Sequence, residues 1–313
     1  MGTFNHKEFK RAFARNSFYF FRGLFRHLPY GVVKAMTSVI ISIGYFLVRS
    51  KRVIARESLD IAFGHTIDSQ EKEKIIKKCF SNLGRGMIEL LYYSDHPQMI
   101  KDKAFIENKE YLEEALKEGK GAILVSAHFG SFPLMLLRLV QEGFATSAIM
   151  RPFRDQIIEK DFVLLREKFG LGTIYSQPRT ACVARSLKAL RNNELLFIPL
   201  DQNFGTKGGV FVNFFGQRAA TATGPAIFAM RTGAPIVPIF THRLEDDRHR
   251  IIVEKPFYLD IKENDEATIF ACVEKITQII ESYIRKYPPE WGWMHRRWKT
   301  QPKDLEDEKK ADD

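Results

Sequence analysis

In the stretch VSAHFGSFPL, residues 125 to 134, an apolar run ends at a histidine, a glycine and a serine. A histidine so placed can take a proton from a substrate hydroxyl, and a carboxylate usually orients such a base. Ser131 has the chemistry of a helix N-cap, accepting a hydrogen bond from an early backbone N–H. Pro133 suits the first turn that follows, where its missing N–H costs little. The positive end of that helix is expected to keep His128 neutral, as a base must be. Gly130 leaves room for a substrate to come close. Taken by itself, a histidine at a strand end is more often structural than catalytic.

Four other stretches carry groups of similar promise. Arg151 in MRPFRD follows an apolar strand and precedes a proline; Arg154 is its weaker companion. Asp201 and Gln202 close the strand ELLFIPL, and Gly205, Gly208 and Gly209 then make a turn to which Lys207 adds a cation for phosphate. This is no nucleotide loop, because it lacks the Lys-Ser/Thr ending of a P-loop. Thr223-Gly224-Pro225 reads as a helix start whose free N–H groups can meet an anion. The run WGWMHRRWK is rich in tryptophan, a residue at home where a bilayer meets water. His295 within it has no acid at a catalytic spacing and reads as structural.

The elements that must position these groups alternate along the chain. Residues 68 to 92 carry a cap, early acids and apolar residues at helical spacing. AILVSA reads as a buried strand, FPLMLLRLVQEG as a helix, TSAIM as a strand and DQIIEKDFVLLREKFG as a helix ending at Gly170. GTIYS, TACVARSLKALRNN and ELLFIPL continue the pattern, and residues 265 to 286 form a last long helix. The alternation implies an α/β fold with a mixed, largely parallel central sheet flanked by helices. Ligands of such sheets collect at the carboxyl ends of the strands, where His128, Arg151 and Asp201 all fall.

Composition narrows the class further. The chain has 313 residues, 45% of them hydrophobic, and a net charge of +10. Three scattered cysteines, Cys79, Cys182 and Cys272, suggest a reducing compartment and neither a disulfide framework nor a zinc site. Up to residue 52, Glu8 is the sole acid among Lys7, Lys10, Arg11, Arg15, Arg22, Arg26, Lys34, Arg49, Lys51 and Arg52. Arg11, Arg15, Arg22 and Arg26 share one side of a helical wheel, and Phe13, Phe20, Phe21, Leu24 and Leu28 supply apolar surface. That pattern suits a helix on an anionic membrane. The uncharged run from Ala35 to Val48 falls short of the roughly 20 residues of a full span. Extended back to Pro29 it includes Lys34, which could snorkel. Basic flanks favour the cytoplasmic face, and no cleavage site marks a removable signal peptide. No zinc-finger or RNA-binding signature accompanies the charge, so nucleic acid is not the expected partner. Residues 1–50 are therefore read as a membrane-associating segment, 51–300 as one main domain and 301–313 as a polar tail.

Five blocks in order, HFGSFP, AIMRPFRD, IPLDQNFGTKGGVFVNFFG, ATATGPAIFAMRTGAPIVPIF and WGWMHRRWK, resemble the lipid A biosynthesis (late) acyltransferase family of the lysophospholipid acyltransferase superfamily. The likeness spans about residues 50 to 299. It implies a glycerolipid acyltransferase-like fold at the cytoplasmic face of a bacterial inner membrane. The implied enzyme moves a fatty acyl chain from acyl carrier protein, or coenzyme A, to a hydroxyl of a lipid A precursor or related glycolipid. No metal or organic cofactor is implied. The family's histidine matches His128, and Arg151 matches an arginine that lines the active site. Gly130, Ser131, Arg154, Lys207, Thr223 and Gly224 fall where substrate would bind, and Phe211 and Phe215 could wall an acyl channel or a sugar site.

The family carries His-x-x-x-x-Asp/Glu, and here the acid's position holds Pro133. A carboxylate from elsewhere, with Asp201 the first candidate, can orient His128; a backbone carbonyl or water can do so; or the protein binds lipid without turnover. Rival acceptors within the same chemistry are a lysophospholipid, a mannosylated phosphoinositide and an aminolipid. An acidic carrier protein would be drawn to this basic chain electrostatically.

Overall fold

The computed structural model describes residues 6–205, 208–260, 264–302 and 304. Lys207 and nearly all of the expected polar tail lie outside the described residues. Helices α1 (His6–Phe25), α2 (Tyr30–Leu47), α3 (Arg49–Phe63), α4 (Ser69–Asp95) and α5 (Met99–Lys103) lead into β1 (Ala104–Glu107) and α6 (Glu110–Leu116). The alternating stretch follows: β2 (Ala122–Ser126), α7 (Phe132–Gln141), β3 (Thr146–Met150), α8 (Gln156–Phe169), β4 (Leu171–Tyr175), α9 (Arg179–Arg191) and β5 (Leu195–Pro199). Then come β6 (Gly209–Phe214), β7 (Gln217–Ala222), α10 (Gly224–Thr232), β8 (Ile236–Arg243), β9 (His249–Val253) and α11 (Asp265–Lys286).

Local chemistry sets many of these boundaries. Asp68 caps α4 by accepting from the Glu71 N–H, and Asn264 caps α11 by accepting from Ala267. Asp155 accepts from two N–H groups at the start of α8, and Gly170 in the left-handed conformation closes that helix.

Seven strands form one sheet in the order β1-β9-β8-β2-β5-β3-β4. The five strands β8, β2, β5, β3 and β4 are mutually parallel, and β9 with β1 runs the other way. β6 and β7 make a separate antiparallel hairpin. Because side chains alternate across a strand, β2 feeds two cores. Ile123 and Val125 join α3, α9, α10, α11 and the tryptophans on one face. Ala122 and Leu124 join α7 and α8 on the other.

The N-terminal helices dock on this body in a way the wheel did not show. On α1, Phe18, Phe21 and Phe25 pack into or against the second core, while Arg15 pairs with Asp155 and Arg22 lies 3.9 Å from Asp95. Two of the four arginines expected to face anionic lipid therefore face acids of the body. α2 is the one helix among the described residues long and apolar enough to cross a membrane. Its first turns are tied down by Tyr30 Oη, which donates to Glu89 at 2.9 Å, and by an ion pair between Lys34 and Asp247. Lys34 thus meets an acid instead of snorkelling. Further along α2, Val39, Ile43, Phe46 and Leu47 are exposed, the last two at 73% and 79%.

Candidate active site

His128 stands two residues beyond β2, and Asp201 two residues beyond β5. These strands are parallel neighbours in a register that sets Ser126 opposite Pro199, and the Leu200 N–H donates to the Ser126 carbonyl at 2.8 Å. Equal offsets from a paired position bring the two side chains together: Nδ1 of His128 lies 2.8 Å from Oδ1 of Asp201. The second carboxylate oxygen accepts the Trp291 indole N–H, also at 2.8 Å. The Asp201 side chain is wholly buried and that of His128 is 27% exposed. With Nδ1–H directed at the carboxylate, the Nε2 lone pair is left to act as a base.

The electrostatics differ from the expectation based on the helix end alone. Burial opposes charge on His128, but the negative charge of Asp201 and the hydrogen bond to it outweigh that, and the imidazole pKa rises above its ordinary value of 6.5. A fixed carboxylate at hydrogen-bond distance acts more strongly than the partial charge of a helix terminus. Burial would likewise raise Asp201. The charge of His128, with hydrogen bonds from His128 and Trp291, instead holds it well below the usual carboxylate range.

His128 opens into an apolar cavity of about 460 Å³ between the sheet and helices α7 and α8, a size typical of small-molecule sites at roughly 300–1,000 Å³. Phe132, Pro133, Leu137, Phe162, Leu165 and Phe197 are among its walls. Arg151, directly after β3, and Gln202, directly after Asp201, are among its polar groups. Position 133 therefore presents an apolar ring to the cavity, and the carboxylate beside His128 comes from β5. Among the described residues no three His, Cys, Asp or Glu side chains converge as a metal site.

The remaining expected site residues divide. Gly130 has φ +55, and a Cβ there would stand 1.9 Å from the Thr241 carbonyl oxygen, so close backbone approach requires glycine at this position. Its N–H donates to the Glu290 carbonyl at 2.8 Å. Ser131 occupies the N-cap position of α7 but makes no capping bond; its Oγ is buried without a partner. Its ψ of 59° departs from the extended geometry in which a cap oxygen reaches the helix N–H groups. Arg154 is exposed and lies outside the cavity lining. Lys207 is outside the described residues.

Four expected site residues around the hairpin, Phe211, Phe215, Thr223 and Gly224, do not line the cavity. Phe215 walls no channel: it is buried against Phe63, Phe214, Trp293 and Trp298. Phe211 sits half-buried on β6, away from the cavity lining, because the β6–β7 hairpin packs on α11. Thr223 donates its hydroxyl to the Gly208 carbonyl at 3.2 Å and is buried, so neither it nor Gly224 faces the cavity.

The tryptophan-rich segment is also reassigned. Trp291 and Trp293 have no exposed surface and Trp298 is buried, so none of them meets a bilayer. Trp291 positions Asp201, and the backbone at Trp291 bridges to Phe129, next to His128. Arg297 is fully buried and donates to the carbonyls of Ala220 at 2.6 Å and Gln202 at 3.4 Å. His295, read from sequence as structural, stacks at a tilt with its ring centre 5.5 Å from that of His128. Burial first, then the charge of His128, lowers its pKa. Two neighbouring imidazoles are thus pushed in opposite directions, so His128 takes up a proton more readily than His295. No sequence spacing signals this, because the two histidines are far apart in the chain.

A strand-end imidazole tied to a buried carboxylate and facing an apolar cavity is equipped to deprotonate a hydroxyl beside a fatty chain. The comparisons with known proteins agree. A family model for the bacterial lipid A biosynthesis acyltransferases matches residues 10–300. The chain is 27% identical over 289 residues to the lipid A biosynthesis palmitoleoyltransferase of Escherichia coli (strain K12), covering 89% of each. It is 24% identical over 283 residues to the lauroyltransferase of the same pathway and organism, covering 88% of each. A phosphatidylinositol mannoside acyltransferase of Mycolicibacterium smegmatis is 26% identical over 206 residues, 64% of each chain. With the family match running almost from end to end, this chain is an acyltransferase and belongs to the bacterial lipid A biosynthesis acyltransferase family.

Proposed function

We propose that this protein transfers a fatty acyl group from the thioester of acyl carrier protein to a hydroxyl of a lipid A precursor. His128 takes the hydroxyl proton at Nε2, Asp201 orients the ring and stabilises its charged form, and Arg151 meets negative charge at the cavity mouth. The observation that carries this reading is the arrangement of His128, with Nδ1 held by Asp201 and the ring lining an apolar cavity. It also argues against a lipid-binding protein without turnover, since the orienting carboxylate missing at position 133 is supplied by another strand. The acceptor is proposed from the lipid A names of the relatives covering 88% or more of this chain.

Residues 1–50 are proposed to hold the enzyme on the cytoplasmic face of the inner membrane through the exposed apolar face of α2, and 51–300 to form the catalytic domain. The purified full chain is assayed with acyl carrier protein and coenzyme A thioesters against a lipid A precursor, a lysophospholipid and a mannosylated phosphoinositide. Turnover is expected with the carrier protein and the lipid A precursor, and should vanish in His128→Ala. Turnover confined to another acceptor would replace the substrate; turnover unchanged in His128→Ala would overturn the site.

A further inference from the structure

A second polar group lies against the imidazole. The Gln202 side-chain Nε2 lies 3.1 Å from His128 Nε2 and 3.3 Å from its Nδ1. Comparable distances to both ring nitrogens place the amide over the face of the imidazole, beside the in-plane Nε2 lone pair that an acceptor hydroxyl must engage. Gln202 lines the cavity. Its backbone carbonyl accepts from the buried Arg297, and the next residue, Asn203, exchanges two hydrogen bonds with Thr300, at 2.9 and 3.0 Å. The backbone is clamped while the side chain retains its rotatable bonds.

Nearby backbone donors are already spent. The Phe129 N–H donates to the Ala127 carbonyl at 2.8 Å and the Gly130 N–H to that of Glu290. The loop after β2 therefore does not offer these two groups to a developing oxyanion, and stabilisation of that charge is commonly the largest catalytic contribution.

We propose that Gln202 is a catalytic residue whose amide, held beside the imidazole at the cavity wall, donates to the thioester carbonyl oxygen. This rests on the acyl-transfer reading of the same site. The acceptor proton passes to His128 Nε2 as the hydroxyl oxygen bonds to the thioester carbon, and the carbonyl pair becomes an oxyanion held by the amide. Collapse of the oxyanion breaks the C–S bond, and the departing thiolate takes the proton from Nε2. An ester, a free thiol and a neutral imidazole result. A neutral donor suits this apolar cavity, since it carries no charge to desolvate.

Gln202→Ala, Gln202→Glu and Gln202→Asn are compared with wild type using acyl carrier protein thioester and a lipid A precursor, with pH profiles and unfolding midpoints measured alongside. Gln202→Ala is expected to lower kcat about 10²-fold with KM within about threefold and the acidic limb of the pH profile unmoved. Gln202→Glu, which offers no donor when ionised, should be at least as slow; Gln202→Asn should recover part of the rate. A kcat within threefold of wild type in Gln202→Ala, or a loss expressed in KM or as a displaced acidic limb, would overturn the proposal. His128→Ala separates the levels: if it is inactive while Gln202→Ala is normal, acyl transfer stands and this inference alone fails. If it retains full turnover, both fail.

Discussion

His128 and Asp201 are 73 residues apart in the chain and 2.8 Å apart in space. Parallel pairing of β2 with β5 accounts for this, since each residue stands two positions past the matched pair Ser126 and Pro199. The acid is buried and the base is partly open, so the pair has an inner anchor and an outer working face.

Because Asp201 raises the His128 pKa, the neutral, active form prevails only above the ordinary histidine value, and kcat/KM should fall as pH drops through that raised value. Asp201→Asn removes the charge and, with its one carbonyl oxygen on the Trp291 N–H, turns an amide N–H toward Nδ1 of His128. Its acidic limb should move to lower pH, and its plateau should fall by about 10³–10⁴, the scale seen when a triad acid is neutralised. For stability the raised His128 contributes fully below the unfolded pKa and loses its contribution as pH rises through the folded one. Asp201 does the opposite, contributing above its unfolded value and losing it as acid protonates it. An unmoved acidic limb in Asp201→Asn would refute the coupling.

Trp291→Phe keeps an aromatic ring in the core and deletes the N–H that donates to Asp201. A hydrogen bond to a buried charge is worth about 1.5–3 kcal/mol, so the variant should lose that much stability by denaturant unfolding. Its Asp201 carboxyl should titrate at higher pH. A loss below about 0.5 kcal/mol would show that the indole bond adds nothing.

Pro133→Glu restores the family's acid type at a cavity wall whose orienting role Asp201 already fills. A second carboxylate in apolar surroundings carries a desolvation cost, so kcat/KM should fall about tenfold. A severalfold gain in rate would mean that Asp201 does not serve as the partner.

Gly130→Ala places a methyl group against the Thr241 carbonyl. Left-handed backbone costs a non-glycine residue about 1–2 kcal/mol, and overpacking adds roughly 1–3 kcal/mol. Thermal unfolding should therefore come several degrees lower, and full stability would show that the loop relaxes freely.

Phe46→Glu and Leu47→Glu alter the most exposed apolar side chains of α2. Each should weaken binding to anionic phospholipid vesicles about tenfold or more, on the scale of about 1.5–3 kcal/mol for burying such a side chain, while leaving the unfolding midpoint unchanged. Unchanged vesicle binding in the double variant would remove α2 from the membrane contact.

What was legible in the chain was what local chemistry governs. Periodicity and caps delimited α4, α8 and α11, and the apolar run from Ala122 to Ser126 marked β2 with His128 just beyond its end. Asp201 was recognisable as the end of a strand and the first candidate partner. The β7 strand was not, because Gln217–Ala222 is built of small and polar residues with no alternating apolar signal. The tryptophans pointed toward a bilayer, since composition alone does not distinguish an interface from a core. Ser131 carried the right cap chemistry, but its backbone, bent around the Gly130 approach to Thr241, keeps the hydroxyl from the helix N–H groups. Chain order and spacing thus determined the elements and the reactive residue types. Sheet order and register, which depend on pairing between distant segments, decided that His128 would meet Asp201 and Gln202, and docking of the C-terminal segment through Trp291 brought His295 beside it.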